Sequence, residues 1–281
     1  MCIRDSYEPY LEALGAAEAS DAIFASADFC PITDLEHADM AYEWTLGSQL
    51  TSSETTDQEL SALLAAAYPE YLASLSLQGA DDFGTITADN FGEYLVQRFL
   101  APSATTYLLA LSDTDRQAYL TENAWITWAD DAATFSFADY VTHVGRSKGV
   151  PAFDALDLSA AENILFGTET INARHFTTFS LQQSSGDDTA ELDADLPAII
   201  NLMNPMVFIT QGCEGCAQYW WLRQGSSDTD TALTVFANLA TSLENQGQDV
   251  NSWLYWDAGH GADEDPEAFI AWIGEITGYT Q

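Results

Sequence analysis

The chain has 281 residues, 47% of them hydrophobic and 12% aromatic, which is enough apolar side chain to bury the core of one or two globular domains. Its 44 acidic and 7 basic residues give a net charge of −37, which would repel nucleic-acid phosphates and anionic lipids. No apolar run reaches the roughly 18 residues that cross a bilayer, so we expect neither a nucleic acid nor a membrane as a partner.

The first 35 residues predict part of a core that contains one strand. Residues Met1 to Ser6 look like translated sequencing adapter rather than native protein, so we expect the natural N-terminal region to be missing. A short helix is predicted over Tyr7–Ala16. The mostly apolar segment Ile23–Cys30 predicts a strand, which Pro31 ends because proline has no N–H to donate to a strand ladder.

Residues 36–200 have a different pattern from the segments on either side. Helix-like stretches such as Asp57–Ala67 and Asn90–Leu100 are separated by glycine, proline, aspartate and serine. This middle region therefore predicts a mainly helical insertion.

Residues 201–281 alternate between predicted strands and helices. The apolar or aromatic segments Met206–Thr210, Tyr219–Arg223 and Val250–Trp256 are typical of strands, while Thr231–Gln246 and Asp265–Ile276 have helical spacing. Such alternation predicts an α/β fold with a parallel sheet, in which chemistry collects in the loops beyond the carboxyl ends of the strands.

Two residues in such loops are candidates for an acid–base pair. Asp228 follows the predicted strand that ends at Arg223, and His260 follows the next one. In hydrolases of this topology an acid after one late strand orients a histidine after the next, and the histidine acts as general base. The layout alone could also arise by chance, because any aspartate and histidine in that order would satisfy it.

Four segments carry a resemblance to a known family: Cys30–Trp44, Arg146–Gly167, Asn201–Ile209 and Arg223–Thr231. They resemble signatures of bacterial tannases and related feruloyl esterases, which are serine esterases. The resemblance implies an incomplete α/β-hydrolase core, formed by residues 1–35 and 201–281. Residues 36–200 would be its large, mainly helical lid.

The resemblance also implies roles for individual residues. Asp228 would be the triad acid and His260 the base, while Lys148, Glu162 and Asp230 would grip the hydroxyls of a phenolic substrate. Two simpler interpretations remain open, namely a lid ion pair between Lys148 and Glu162, and a helix N-cap role for Asp230. The expected partner is a small phenolic ester, with no cofactor and no metal.

The nucleophile is the main departure from the family pattern. The family's serine lies in a G-x-S-x-G turn upstream of this chain. One formal match exists at Gly145–Gly149, centred on Ser147, and residues 139–144 before it could form the strand that such a turn needs. Because Val150 and Pro151 follow it, and because the resemblance places it in the lid, we do not expect Ser147 to be the nucleophile.

The remaining cysteines and histidines have simpler explanations than catalysis. Cys213 and Cys216 have C-x-x-C spacing, but no second pair completes four zinc ligands, so a local disulfide or two thiols is expected. His37 lies among acidic side chains after the first strand, where hydrogen bonding at a hinge is favoured over a metal site. The segment Gly259–Asp263 around His260 departs from the family pattern, which affects loop shape rather than the base itself.

Three functions remain open at this point. The first is hydrolysis of galloyl or feruloyl esters, and the second is a general carboxylesterase or peptidase on the same fold. The third is a non-catalytic ligand-binding protein on a hydrolase scaffold. Convergence of Lys148, Glu162 and Asp230 on one pocket would favour the first over the second.

Overall fold

The structure is a computed structural model that describes Gly15 and residues 22–212 and 215–279. The strands are β1 (Ala25–Phe29), β2 (Gln78–Gly79), β3 (Gly84–Thr85), β4 (Thr127–Ala129), β5 (Ala132–Thr134), β6 (Tyr219–Gly225) and β7 (Asp249–Tyr255). The helices are α1 (Leu35–Leu46), α2 (Thr55–Ser74), α3 (Phe91–Leu95), α4 (Ala101–Ala110), α5 (Asp113–Glu122), α6 (Phe137–Val144), α7 (Ala161–Leu165), α8 (Thr178–Ser185), α9 (Leu196–Met203), α10 (Pro205–Thr210), α11 (Leu233–Asn245) and α12 (Pro266–Thr277). Residues 1–6 and, apart from Gly15, the predicted helix Tyr7–Ala16 lie outside this description.

Three parallel strands form the sheet that positions the candidate site. Their order is β1-β6-β7, and Tyr219 is in register with both Ala25 and Asp249. The central strand β6 is buried from Trp220 to its end, as expected for a strand with neighbours on both sides and helices on both faces. The carboxyl ends of all three strands therefore meet at one edge, which confirms the predicted parallel α/β arrangement.

Both faces of this sheet are covered. Trp220 and Leu222 belong to the main hydrophobic core, which they share with the buried face of α11. Trp221 points to the opposite face, where its ring centroid lies 5.4 Å from those of Phe269 and Trp272 of α12. This alternation of side chains along β6 fixes its register, because a slip by one residue would exchange the two faces.

The segment between β1 and β6 is mainly helical, with two short antiparallel hairpins, β2–β3 and β4–β5. An aromatic cluster joins its helices: the ring of Trp44 lies 5.3 to 5.8 Å from those of Tyr68, Phe91 and Phe137. Asn238 of α11 donates a hydrogen bond to the hydroxyl of Tyr68 at 3.0 Å, so these helices pack against α11, which covers one face of the sheet. That this segment forms a separate lid domain stays a prediction.

Two local predictions were wrong. The segment Met206–Thr210 is not a strand but most of helix α10, because Pro205 suits the first helical turn and the side chain of Asn204 accepts a hydrogen bond from the Met206 N–H. Residues 139–144 lie in helix α6, which begins with a capping box between Ser136 and Asp139. Short apolar segments fit either structure, and the caps decided both cases.

None of the helices in the described parts of the chain is both long and apolar enough to cross a membrane.

Candidate functional site

Asp228 and His260 lie in contact at the carboxyl edge of the sheet. The Nδ1 atom of His260 is 3.1 Å from Oδ2 and 3.3 Å from Oδ1 of Asp228. Oδ1 also accepts hydrogen bonds from the backbone N–H groups of Asp230 and Thr231, at 2.8 and 3.0 Å. The side chain of Asp228 is fully buried, whereas that of His260 is 51% exposed. The expected contact is therefore present, with a fixed acid and an accessible imidazole.

The two loops that carry this pair are locked to each other. Gly225 ends β6 where a Cβ atom would lie 2.1 Å from the carbonyl oxygen of Ala258, so only glycine lets the histidine loop approach this closely. The N–H of Ser227 donates to the same oxygen at 2.9 Å. The Asp257 N–H donates to the hydroxyl of Ser226 at 2.8 Å. These bonds hold the acid and the histidine at a constant separation.

Cys30 is a third side chain at this edge, and our sequence analysis did not select it. It follows β1 directly, and its sulfur accepts a hydrogen bond from the Gly261 N–H at 3.1 Å. Burial raises the pKa of the Cys30 thiol, and the neighbouring carboxylate of Asp228 raises it further. Its position after a strand, equivalent to those of Asp228 and His260, was the signal that could have found it.

One cavity of about 670 Å³ brings together His260, Lys148, Glu162 and Asp230. Its apolar lining includes Ile32, Val150, Pro151 and Leu156. The two predicted phenol-binding carboxylates and the predicted lysine thus share one space with the histidine. This convergence is what the family resemblance leads one to expect.

One pair of opposite charges lines this cavity. Among the ion pairs of the described residues, Lys148 contacts Asp230, with 3.3 Å between Nζ and Oδ1, and not Glu162. Its ammonium also lies 4.9 Å from the ring centroid of Phe153. Helix α11 is capped at Ala232 without a side-chain bond, so Asp230 does not act as an N-cap. Both simpler interpretations of these residues are therefore wrong in this structure.

A buried ion pair holds the loop that carries Lys148. The guanidinium of Arg146 contacts the two carboxylate oxygens of Glu43 at 2.7 and 2.8 Å, and both side chains are almost completely buried. Arg146 also donates to the backbone carbonyl of Lys148 at 2.9 Å and to that of Gly149 at 2.6 Å. The hydroxyl of Tyr42 accepts the Lys148 N–H at 3.2 Å. The backbone of the loop that carries Lys148 is therefore fixed by several hydrogen bonds.

Buried carboxylates hold the segment that leads to Glu162. Asp39 accepts the backbone N–H groups of Phe153 and Asp154, at 2.7 and 3.1 Å. Asp154 accepts the side-chain amide of Asn163 at 2.7 Å, directly beside Glu162. Burial raises the pKa of Asp39 to about 7, partly offset by these backbone hydrogen bonds, while the nearby charge of Asp154 raises it further.

The raised pKa of Asp39 predicts a pH-dependent stability. Because the folded state binds this proton more tightly than the unfolded state, the stabilisation is full below pH ~4 and is lost as the pH rises towards 7. At ~1.4 kcal/mol per pKa unit, the upper limit of this stabilisation is about 4 kcal/mol.

Urea unfolding at a series of pH values tests this prediction. We expect the free energy of unfolding to decline between pH ~4 and 7, and the decline to be smaller in Asp39→Asn. The exposed control Glu59→Gln should leave it unchanged. An identical slope in Asp39→Asn would contradict the assignment.

Ser147 lies near the acid loop but lacks the context of a nucleophile. It follows helix α6 rather than a strand, and its hydroxyl donates to that of Thr229 at 2.7 Å. The strand–turn–helix geometry that exposes a nucleophilic serine is therefore absent around this described residue.

His37 and Cys216 take part in contacts that stabilise the fold. His37 contacts Asp34 at 2.8 Å, and the same carboxylate accepts the side-chain amide of Asn204 at 2.6 Å. This bond joins the start of α1 to the start of α10, as a hinge contact would. In the described parts of the chain, no group of three metal-ligating side chains gathers around His37. Cys216 is disulfide-bonded, which agrees with the first of the two expectations for it, while Cys213 lies outside the described residues.

Comparison with solved structures identifies proteins of the same architecture. Tannin acyl hydrolase from Lactobacillus plantarum matches 99% of this chain at 34% identity and a TM-score of 0.80. Tannase from Fusobacterium nucleatum matches 97% at 32% identity and a TM-score of 0.79. The chain is tannase-like. It spans 61% and 63% of the lengths of these two proteins.

Further comparisons bear on ligands. A tannin acyl hydrolase solved in complex with ethyl gallate matches 99% of this tannase-like chain, at 33% identity and a TM-score of 0.80. The chain spans 61% of that protein. No protein-family profile and no curated protein sequence matches the chain.

Proposed function

We propose that this chain supplies the acid, the base and the phenol-binding side chains of a serine esterase that hydrolyses galloyl or related phenolic esters. The observation that carries the proposal is the meeting of the Asp228–His260 pair with Lys148, Glu162 and Asp230 in one cavity. Solved tannin acyl hydrolases in complex with 3,4-dihydroxybenzoate and ethyl gallate support this ligand class.

The Asp228–His260 contact defines the proton path. Nδ1 of His260 faces the buried carboxylate, so Nε2 is the nitrogen that takes the proton from a serine hydroxyl supplied by the upstream region. The seryl oxygen then attacks the ester carbonyl, and the proton passes to the leaving alcohol as the acyl-enzyme forms. His260 next deprotonates a water molecule, which releases the phenolic acid. Asp228 orients the imidazole and stabilises its cationic form.

The charges opposite the histidine suit a ring with several hydroxyl groups. Carboxylates of Glu162 and Asp230 accept hydrogen bonds from phenol O–H groups, and the ammonium of Lys148 donates to their oxygens. Lys148 is the sole lysine among the 281 residues. The chain has a net charge of −37, yet its one lysine lines this cavity. A substrate ring without hydroxyl groups would offer the ammonium of Lys148 no hydrogen-bond acceptor.

A binding measurement on the chain itself tests this assignment. Reductive ¹³C-methylation labels Lys148 and the N-terminal amine alone, so one side-chain resonance reports on the cavity. We expect methyl gallate to shift this resonance and methyl benzoate to leave it in place. Glu162→Gln should weaken methyl gallate binding by roughly 10- to 100-fold, the equivalent of one charge-assisted hydrogen bond.

The control for this measurement is Glu59→Gln, which removes the same charge from an exposed helix surface and should leave binding unchanged. If methyl gallate and methyl benzoate shift the resonance equally, or if Glu162→Gln has no effect, a general carboxylesterase becomes the better description.

A further inference from the structure

Cys30, Asp228 and His260 form a cluster of three different metal-ligating side chains. One sulfur, one carboxylate oxygen and one imidazole nitrogen all lie within 4.8 Å of one another, and the described residues contain no other such group of three. Each side chain follows a different strand of the sheet, β1, β6 and β7 in turn. These are the three ligand types that Zn²⁺ accepts in proteins.

The ligand atoms are available for an ion. Cys30 is a free thiol. Oδ1 of Asp228 already accepts two backbone N–H groups, whereas Oδ2 lies 3.1 Å from the imidazole. The side chain of His260 is 51% exposed, so solvent reaches the ring.

The spacing of these atoms is close to that of a zinc site. Bonds of about 2.3 Å to sulfur and about 2.0 to 2.2 Å to nitrogen and oxygen put tetrahedral ligand atoms about 3.3 to 3.8 Å apart. The imidazole and carboxylate are 3.1 Å apart, and the whole cluster fits within 4.8 Å. Small side-chain shifts are therefore sufficient to enclose an ion.

We propose that Cys30, Asp228 and His260 bind a thiophilic divalent cation, with Zn²⁺ as the defining example and water as the fourth ligand. On binding, the thiol releases its proton to solvent and the sulfur coordinates as thiolate, while Oδ2 of Asp228 and a ring nitrogen of His260 donate lone pairs. The ion then separates the carboxylate from the imidazole. If the proposed esterase function holds, zinc would act as an inhibitor by removing the contact that orients the base.

The net charge of −37 attracts every cation, so the test must separate this site from the acidic surface. The chain is titrated with Co²⁺ and then Zn²⁺ in excess Mg²⁺, which occupies simple carboxylate sites. All proteins carry Cys2→Ser, and no reductant is added, so the disulfide of Cys216 stays closed. Binding of Co²⁺ to the Cys30 thiolate gives a sulfur-to-metal charge-transfer absorption that carboxylates do not produce.

We expect one equivalent of Co²⁺ to produce this absorption and Zn²⁺ to displace it. Cys30→Ser should abolish the absorption and weaken Zn²⁺ binding by about 100-fold or more, because losing a ligand exceeds the 10- to 100-fold effect of losing an outer-shell partner. His260→Ala should weaken binding similarly. The matched control is His37→Gln, which alters the histidine of another His–Asp pair and should leave affinity unchanged.

Equal Zn²⁺ affinity in Cys30→Ser and the parent chain, or no charge-transfer absorption in the parent chain, would overturn the proposal. If Cys30→Ser fails to fold by circular dichroism, the parent absorption and the His260→Ala titration still decide the question. The titration uses no ester substrate, so failure to bind metal would not count against the esterase proposal. Absence of esterase activity would likewise not change the interpretation of the zinc titration.

Discussion

Replacing His260 with alanine, in the complete serine esterase that we propose, should lower kcat for methyl gallate by about 10⁴-fold or more. The imidazole contacts the buried carboxylate of Asp228 and is half exposed to the cavity, so in the proposed mechanism it is the base that takes the serine proton. Asp228→Asn should cause a loss of similar size, because an amide at this position would favour the wrong histidine tautomer. KM should change little in both variants.

Steady-state kinetics with the three proteins and a His37→Gln control provide the test. His37 also pairs with an aspartate, but it does not line the cavity that contains His260, so its loss should leave kcat within a few-fold. Retention of more than about 1% of kcat in His260→Ala would exclude general-base catalysis by this residue.

The second large effect concerns stability. Glu43→Ala or Arg146→Ala should reduce the free energy of unfolding by about 3 to 5 kcal/mol, since each leaves an uncompensated charge at an almost fully buried site. Replacing both with apolar residues of similar volume, as in Glu43→Leu with Arg146→Met, should cost much less than the sum of the single variants. The partner charge is then absent as well.

Urea unfolding of the parent chain, the two single variants and the double variant measures the energetic coupling between Glu43 and Arg146. The matched control is the half-buried pair Arg98–Glu244, with 2.7 Å between its charged atoms, where loss of one partner should cost about 1 kcal/mol or less. Additive single effects at Glu43 and Arg146 would contradict a coupled pair. Loss of methyl gallate binding in the folded double variant would further show that Arg146 positions Lys148.

The sequence predicted the parts of the site that follow from chain order. Asp228 and His260 were identified because residues after successive parallel strands must meet at one edge of the sheet. The convergence of Lys148, Glu162 and Asp230 was predicted from the family resemblance alone. Neither spacing nor periodicity connects Lys148 with Asp230, which is 82 positions further along the chain.

Other features depend on contacts between distant parts of the chain. Glu43 and Arg146 are 103 positions apart, and a charged residue at each position would ordinarily be expected at the surface. Cys30 was predicted as the last residue of a strand, but β1 ends at Phe29 and leaves Cys30 at the carboxyl edge of the sheet beside the loop after β6. The segment Met206–Thr210 was assigned wrongly for a local reason. Its apolar composition predicted a strand, but the cap at Asn204 makes it a helix.

We propose that this chain carries the acid, base and phenol-binding groups of a tannase-like esterase, and that another segment of the esterase supplies the nucleophile. An assay of the purified 281-residue chain with methyl gallate, beside its His260→Ala variant, tests this most directly. We expect the two proteins to release gallate at the same background rate. Hydrolysis by the chain that is lost in both His260→Ala and Ser147→Ala would contradict the claim and identify Ser147 as the nucleophile.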